Sequence, residues 1–376
     1  MQDQNTPRVS VVIPSFNAAQ WINKTLQSAQ FQTVEDIEII VVDDGSVDDT
    51  AYIVQLAAMR DNRIRLIRQP NGGVARARNT GIAAARAAFI APLDADDLWH
   101  PARLEKHLAA FETAGEDIGV VYSPFVRIND GDEVGARQYC SGTEGDIFYP
   151  HLVENFVGNG SGITVRTSIA REIGGYSFAL RDQTAQGYED WLFQLKAAHK
   201  YKFLCVPLYL IGYRNIPANM SSDYLQMARS NVLAIREVEA YAADVPRLAF
   251  WWPQARACAL FVFRLAKSGQ WSAALGEFAR ETARNPLVPF YLPVVIAGRV
   301  YDRTGLRRLW HRKKRQPTRF DELDPTSVLR GSPTISSRIW LAIYKWLGDR
   351  RRERQPMRVP AVHADLASKS SSGLAK

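Results

Sequence analysis

The sequence predicts an α/β protein with a Rossmann-like, mostly parallel sheet and helices on both faces, followed by an α-helical region. Short apolar, β-branched runs alternate with amphipathic segments over the first hundred residues, which is typical of βαβ units. The second run is apolar on both faces, as expected for a strand in the middle of a parallel sheet. Three of the four runs end in polar residues, at the sheet edge where α/β proteins bind ligands.

The predicted strands and helices follow one another at a regular pitch. Strands are predicted at 9–13, 37–42, 64–67 and 89–93. The helix after the first strand carries Ile22, Leu26 and Ala29 at helical spacing. An alanine-rich helix is predicted at 74–88. Beyond it we expect a helix beginning near Pro101, a strand at 119–123, a variable loop at 127–148 and a helix opened by Glu189 and Asp190.

Polar residues cluster where three of these strands end: Pro14 and Asn17, then Asp43 and Asp44, then Asp94, Asp96 and Asp97. Adjacent carboxylates repel one another and must stay solvated or paired, so packing does not explain Asp94, Asp96 and Asp97. A divalent cation held by one or two carboxylates and by substrate phosphates would explain them. The alternative is a solvated loop that caps the next helix. Because three groups of polar residues meet at one sheet edge, the sequence favours a ligand site.

Composition indicates an ordinary globular protein. The chain has 376 residues, 46% of them hydrophobic, which is enough for one large or two medium domains. The three cysteines are widely spaced, which argues against a disulfide framework and suits a reducing compartment. Residues 1–8 are polar and lack the apolar segment of a signal peptide, so we expect a cytoplasmic protein.

Positive charge is concentrated near the C-terminus. Residues 299–358 hold 17 Lys and Arg against 6 Asp and Glu, a net charge of +11 in a chain whose total is +8. Aromatic and aliphatic residues accompany these cations over 287–352, as in peripheral contacts with an anionic membrane surface. We therefore expect association with the inner face of the cell membrane. A solvated basic surface is the alternative, and no nucleic-acid-binding fold accompanies the charge, so no nucleic-acid partner is expected.

Four motifs in order resemble the inverting family 2 glycosyltransferases of the GT-A fold. They are Val-Ser-Val-Val-Ile-Pro-Ser-Phe-Asn from Val9, Ile-Ile-Val-Val-Asp-Asp-Gly-Ser from Ile39, Asn-Gly-Gly-Val-Ala-Arg-Ala-Arg-Asn-Thr-Gly from Asn71, and Leu-Asp-Ala-Asp-Asp from Leu93. The resemblance covers roughly residues 8–215. It implies a metal-dependent enzyme that transfers a sugar from a nucleotide-sugar, with UDP-sugar the expected donor and Mn²⁺ or Mg²⁺ the cofactor.

The same resemblance assigns roles to residues of the donor site. Asp96 would bind the metal through the diphosphate, and Asp94 would contact the ribose or the metal. Asp44 would accept a hydrogen bond from the base, alongside the backbone near Pro14. Arg78 and Asn79 would lie near the diphosphate or the base. The predicted substrate-binding set is Pro14, Asn17, Asp43, Asp44, Gly73, Arg78, Asn79, Asp94, Ala95, Glu189 and Trp191.

The acceptor end is predicted at the helix opened by Glu189 and Asp190. By resemblance, Asp190 is the general base that takes the proton of the acceptor hydroxyl, which is a very weak acid. The spacing of Gln226 and Arg229 is similar to the Gln-x-x-Arg-Trp motif of processive synthases, but Ser230 replaces the Trp. We therefore expect non-processive transfer to a glycan or lipid-linked acceptor, in bacterial envelope polysaccharide biosynthesis.

The sequence predicts a catalytic domain at 1–220, a basic α-helical region at 221–355 and a disordered tail at 356–376. A phosphoacceptor signalling domain also gathers acidic residues at strand ends, but the Lys that it needs after the strand at 119–123 is missing. A dehydrogenase is disfavoured because no G-x-G-x-x-G follows the first strand. A catalytically silent sugar-binding scaffold of the same fold stays open as the alternative.

Overall fold

The structure is a computed structural model that describes residues 6–183, 185–215, 223–303 and 318–330. Its first half alternates strands and helices as predicted. The elements are β1 (Val9–Ser15), α1 (Ile22–Gln30), β2 (Ile37–Asp43), α2 (Thr50–Ala58), β3 (Ile64–Arg68), α3 (Val74–Ala84), β4 (Phe89–Pro92), β5 (Leu98–Trp99) and α4 (Arg103–Thr113).

The middle of the chain contains shorter elements. They are β6 (Ile118–Tyr122), β7 (Phe125–Ile128), β8 (Val134–Arg137), α5 (Phe148–Val153), β9 (Ile163–Arg166), α6 (Thr167–Glu172), α7 (Ala179–Asp182), α8 (Glu189–Lys200), β10 (Lys202–Cys205) and β11 (Ile211–Arg214). The segment 127–148, predicted to be a loop, therefore contains β8. Its Gly, Asp and Glu residues gave no strand signal because β8 is stabilised by pairing with β7 and not by its own composition.

A seven-stranded central sheet runs in the order β10-β6-β9-β4-β1-β2-β3. Every pairing in it is parallel except those of β9, which lies antiparallel to β4 and β6. Neighbouring residues of one strand belong to two separate hydrophobic cores: Val12 packs in one core, and Val11 and Ile13 pack in the other. Helices therefore cover both faces, and the predicted fold class is confirmed.

A second, four-stranded sheet runs in the order β5-β11-β7-β8. Strand β11 pairs with β7 in parallel, so that Tyr213 lies opposite Arg127. Along β7, Val126 and Ile128 are buried in a small core, whereas Phe125 and Arg127 point the other way. This second sheet supplies one wall of the cleft described below.

The last third of the described chain is helical, as predicted. It contains α9 (Tyr224–Tyr241), α10 (Leu248–Lys267), α11 (Trp271–Arg284) and α12 (Val288–Arg303). Helix α10 packs against α9, α11 and α12. Within the described residues, no helix combines the length and the apolar character needed to cross a membrane.

Residues 318–330, the strap, return from the helical region to the second sheet. Val134 N donates to Thr318 O at 2.8 Å, and Tyr209 N donates to Pro325 O at 2.8 Å. Phe320 and Leu323 are buried in the core of that sheet. The predicted domain boundary at residue 220 stays a prediction. The strap lies beyond this boundary in sequence but packs in the core of the second sheet. The predicted tail at 356–376 and most of the basic segment lie outside the described residues.

Candidate active site

One cleft of about 670 Å³ lies beyond the carboxyl ends of β1 and β4, between the central sheet, the second sheet and the start of α8. It brings together eight of the residues predicted from sequence. They are Pro14, Asn17, Arg78, Asp94, Ala95, Asp96, Glu189 and Asp190. The ends of parallel strands meet at one sheet edge, which is why residues eighty positions apart become neighbours.

The first acidic group of the cleft, called the first acidic station, consists of Asp94 and Asp96 after β4. Asp94 accepts a hydrogen bond from Arg78 Nη2 at 2.5 Å, and its backbone N–H donates to Ser161 Oγ at 3.0 Å. Burial, reinforced by the nearby charge of Asp94, raises the pKa of Asp96 to about 6. Two carboxylates are thus held close together in a partly dry cleft, where a bound cation would relieve their repulsion.

Asp97, the third carboxylate in the run, has a structural role. It is fully buried, with Oδ2 accepting from Ser161 Oγ at 2.6 Å and Oδ1 accepting from Arg214 N at 2.9 Å. Arg214 is also fully buried, and its Nε donates to the backbone carbonyl of Asp96 at 2.8 Å. Arg214 Nη2 is anchored in turn on Asp132 Oδ1 at 2.6 Å. This network fixes the backbone from which Asp96 projects.

The second acidic station consists of Glu189 and Asp190 in the first turn of α8. Tyr188, which precedes the helix, has φ of 72°, a left-handed conformation that a non-glycine residue adopts at an energetic cost. The turn directs Asp190 into the cleft, where Oδ1 accepts from Trp191 N at 2.7 Å. Burial raises the pKa of Asp190 to about 6, although the charge of Arg78 opposes the shift. A carboxylate with such a pKa is a stronger base than an exposed aspartate.

Arg78 connects the two stations. It is 5% exposed, and its Nε has no hydrogen-bond partner within the described residues. A Cβ at Gly160 would lie 3.2 Å from Arg78 Nη2 and 3.8 Å from Asp190 Cβ, so these groups surround the same point. Burial alone would lower the pKa of Arg78, but the charges of Asp94 and Asp190 outweigh it and raise the pKa. Arg78 is therefore a permanent cation between the acidic stations.

The strand-end pair Asp43 and Asp44 does not line the cleft. Asp43 Oδ2 accepts from Arg68 Nε at 3.1 Å and Oδ1 accepts from Ser46 N at 3.2 Å. Asp44 Oδ1 accepts from Gln69 Nε2 and from Gly72 N, and Oδ2 accepts from Gly73 N at 2.7 Å. Both carboxylates are buried and hold the chain between β3 and α3. The predicted contact of Asp44 with a base stays a prediction, for which Oδ2 has one lone pair left.

Three further predicted residues lie away from the cleft lining. Gly73 has φ of 88° and packs against Arg181, so it shapes the turn before α3. Asn79 exchanges two 2.8 Å hydrogen bonds with the backbone of Tyr176. Trp191 is buried, and its Nε1 donates to His151 O at 3.0 Å. In this structure all three position their neighbours.

The cleft also contains residues that the sequence did not single out. Phe125 and Tyr213 of the second sheet form a tilted ring pair with centroids 5.3 Å apart. Asn159 is 6% exposed, and neither atom of its side-chain amide has a partner within the described residues. Asn159 lies in a run with glycines at 158, 160 and 162. The second-sheet residues gave no signal, because their place in the cleft depends on the pairing of β7 with β11.

The carboxylate oxygens of Asp94 and Asp96 are possible ligands for a metal ion. Within the described chain, no three His, Cys, Asp or Glu side chains are grouped so that they could hold a metal ion by themselves. Asp94 and Asp96 supply the oxygen ligands that Mg²⁺ and Mn²⁺ prefer, and such ions complete their shell with waters and substrate phosphates. The residues therefore fit a cation shared with a phosphate ligand.

Comparison with known proteins finds a family match for part of the chain. Residues 10–174 match the family model of "Glycosyl transferase family 2". An "Uncharacterized glycosyltransferase EpsJ" of Bacillus subtilis is 47% identical over 91 residues, covering 24% of this chain and 26% of that protein. A "Chondroitin synthase" of Pasteurella multocida is 33% identical over 133 residues, covering 35% of this chain and 14% of that protein. The matches thus span a small part of these relatives.

Solved structures share the fold at low identity. S. aureus TarS 1-349 is 18% identical with a TM-score of 0.54, and the match covers 93% of each chain. The same protein in complex with UDP-GlcNAc is 20% identical with a TM-score of 0.53, covering 72% of this chain and 80% of that one.

Proposed function

Because residues 10–174 form a family 2 glycosyltransferase domain with the GT-A fold, we propose that the protein is a metal-dependent, inverting glycosyltransferase. It transfers one sugar from a nucleotide-sugar, with UDP-sugar the expected donor, to a glycan or lipid-linked acceptor. The observation that carries the proposal is the convergence of Asp94, Asp96 and Asp190 on one cleft. TarS, which shares the fold, has been solved with UDP-GlcNAc, so the fold accommodates such a donor.

The donor is proposed to bind at the first acidic station. Asp96 and Asp94 would hold a divalent cation, which offsets the negative charge that develops on the leaving diphosphate. Pro14, Asn17 and Ala95 line the same end of the cleft and are proposed to contact the nucleoside and its ribose. Arg78 orients Asp94 through its 2.5 Å hydrogen bond, so the station is organised before a donor arrives.

Asp190 is proposed to act as the general base. It takes the proton of the acceptor hydroxyl as the oxygen attacks the anomeric carbon, and the diphosphate departs on the opposite side, which inverts the configuration. A base whose pKa is about 6 is ionised at pH 7 and holds a proton more tightly than an ordinary aspartate, which favours the transfer. Glu189, beside it in the cleft, keeps the local potential negative.

The acceptor is proposed to lie against the second sheet. Sugar rings stack on aromatic side chains through their C–H faces, and the Phe125–Tyr213 pair offers such a surface. The free amide of Asn159 can donate to one sugar oxygen and accept from another. Because buried amides are nearly always hydrogen-bonded in folded proteins, an unsatisfied amide in this cleft supports a ligand contact.

Non-processive transfer is supported by Ser230. This serine replaces the Trp of the motif found in processive synthases. It is fully buried on α9, and its hydroxyl lies 2.7 Å from Gln186 O and 2.9 Å from Gln226 O, either of which can accept its one proton. A buried serine engaged with backbone offers no platform on which a growing chain could stack.

Contact with an anionic membrane surface is proposed for the region 287–352. On α12, Phe290, Val294 and Ile296 are exposed, and Phe290 and Val294 lie one turn apart on one face. The basic residues of 299–358 follow this face in sequence. Flotation with anionic vesicles at moderate salt tests the contact. Phe290→Asp with Val294→Asp should abolish flotation, and unchanged flotation of this variant would contradict the proposal.

The experiment that tests the proposed reaction follows release of nucleoside diphosphate. Wild-type protein is incubated with a panel of UDP- and GDP-sugars, with Mn²⁺ or with EDTA. No sugar acceptor is added, so water accepts the sugar in a slow hydrolysis. Diphosphate release from one donor, at least about tenfold above the rate in EDTA, is expected. Binding of the donor without release under any metal condition would favour the alternative of a catalytically silent scaffold.

A further inference from the structure

Two of the three cysteines lie side by side, although 65 residues separate them in sequence. Cys140 Sγ and Cys205 Sγ are 3.6 Å apart, within hydrogen-bonding range for sulfur. Cys140 is 4% exposed and Cys205 is half-buried, so a small molecule can reach the pair from the side of Cys205. The cysteines are widely spaced in sequence, and only the fold brings these two together.

The pair lies where the two sheets meet. Cys205 ends β10, the edge strand of the central sheet. Cys140 follows β8 of the second sheet, and its N–H donates to Leu329 O of the strap at 2.8 Å. A two-way backbone bridge between Gly145 and Phe203, at 2.7 and 2.9 Å, keeps the two segments in register. Folding therefore holds the two sulfurs close together.

The surroundings favour a thiolate at Cys140. The hydrogen bond from Cys205, together with the N–H of Gly142 and the charge of Arg330, lowers the pKa of Cys140 to about 7 against the opposing effect of burial. The same hydrogen bond raises the pKa of Cys205, so the first proton leaves Cys140. A thiol with a pKa near the ambient pH is the most effective attacking group in disulfide exchange.

We propose that Cys140 and Cys205 form a thiol–disulfide modification site that reversibly cross-links the two walls of the cleft. The oxidant is a small-molecule disulfide. The Cys140 thiolate attacks one sulfur of this disulfide and expels the other as a thiolate. Cys205 then loses its proton and attacks Cys140 Sγ, expelling the second thiolate. The two expelled thiolates take up the two protons lost by the cysteines, so both cysteines are oxidised and one disulfide is reduced to two thiols.

The cross-link acts on the cleft through Gln138, two residues before Cys140. Its Oε1 accepts from Phe125 N at 3.1 Å, and its Nε2 donates to Phe156 O at 2.9 Å. Gln138 thus ties the aromatic wall to the segment that leads to Asn159. Fixing Cys140 to β10 restrains this connection relative to the central sheet, on which Asp94 and Asp96 lie.

The test counts free thiols in the full-length protein. Reduced protein is equilibrated with oxidised and reduced glutathione at several ratios and then alkylated under denaturing conditions, and its intact mass is measured. The reduced protein should gain three alkyl groups and the oxidised protein one, with a Cys140–Cys205 cross-linked peptide after digestion. The oxidised form should melt at least about 5 °C higher, because the link closes a long loop.

Cys258 provides the matched control. Cys258 is 2% exposed, and its Sγ donates to Glu281 Oε2 at 3.3 Å, away from the pair. Cys258→Ala should keep the cross-link, whereas Cys140→Ser and Cys205→Ala should each abolish it and the rise in melting temperature. Three alkylated cysteines in pure oxidised glutathione, a glutathione adduct that does not resolve into the cross-link, or a link through Cys258 would overturn the proposal.

Discussion

Two aspartate pairs lie at the ends of strands in the same sheet but differ in what surrounds their oxygens. Asp43 and Asp44, after β2, accept five hydrogen bonds from the protein. Asp94, after β4, accepts one from Arg78, and within the described residues no side chain donates to the Asp96 carboxylate. The first pair is a scaffold pair, which the protein itself satisfies. The second is a cleft pair, which is left for a ligand to satisfy.

The difference shows that residue type and strand position do not by themselves identify a binding carboxylate. Buried carboxylates must be paired or hydrogen-bonded. Where backbone and side chains already provide the partners, the carboxylate stabilises the fold. Where they do not, burial raises the pKa of the carboxylate, as for Asp96. Its oxygens are then available to bind a ligand.

The largest expected effect is at Asp190, the proposed base in the cleft. Asp190→Asn should lower the rate of sugar transfer by about 10³-fold, because the proton of the acceptor hydroxyl loses its acceptor. Binding of UDP with Mn²⁺ should stay within about threefold of wild type, since Asp190 is not placed at the diphosphate. The control is Asp182→Asn, at an exposed residue eight positions earlier. Equal rates for Asp190→Asn and Asp182→Asn would refute the assignment.

The two pairs should respond to neutralisation with opposite stability effects. Asp43→Asn should reduce the free energy of unfolding by about 1–3 kcal/mol, because the charge-assisted bond to Arg68 is lost in a buried site. Asp96→Asn should leave the free energy unchanged or raise it, because it removes repulsion from Asp94. Denaturant unfolding of both variants measures the contrast. A larger loss of stability for Asp96→Asn would mean that the scaffold and cleft assignments are reversed.

The pH dependence of Asp190 sharpens the comparison. Its folded pKa is about 6 and the ordinary value is 3.8, so the folded state binds the extra proton between these pH values. Wild type should therefore gain stability over Asp190→Asn as pH falls from 7 to 4, by on the order of 1–2 kcal/mol after allowance for partial exposure. Activity should fall over the same range. Parallel stability curves for wild type and variant would show that Asp190 titrates normally.

A small effect on stability is expected at Asn159. Asn159→Ala removes an amide that has no partner within the described residues, so the melting temperature should change by less than about 2 °C. The KM for the acceptor should rise by about tenfold, while release of diphosphate to water should stay unchanged. A drop in both reactions together would mean that Asn159 supports the cleft and does not contact the acceptor.

Much of the fold was predictable because it depends on local pattern. The β-branched run of β1, the run apolar on both faces in β2, and helical spacing at Ile22 and Leu26 predicted a parallel sheet between helices. Strand β8 was not predictable, because its pairing with β7 stabilises it and its own composition does not. The strap was not predictable, because it is held by partners that are distant in sequence, as in the bond from Val134 N to Thr318 O.

The site was predictable where it follows strand ends, and not where it depends on packing. Asp94, Asp96 and Asp190 reach the cleft because topology brings their elements to one edge. The scaffold role of Asp44 depends on donors from Gln69, Gly72 and Gly73, which no spacing rule identifies. No sequence pattern indicated a role for Arg214, because that role depends on a buried hydrogen bond to the Asp96 backbone.

The most direct test of the central claim is calorimetric titration of UDP, with and without Mn²⁺, into wild type, Asp96→Asn and Asp43→Asn. We predict Mn²⁺-dependent binding by wild type, its loss in Asp96→Asn, and an affinity within about threefold of wild type in the less stable Asp43→Asn, because only the cleft pair is proposed to face the diphosphate. Binding by Asp96→Asn that equals wild type, or an equal loss in both variants, would contradict it.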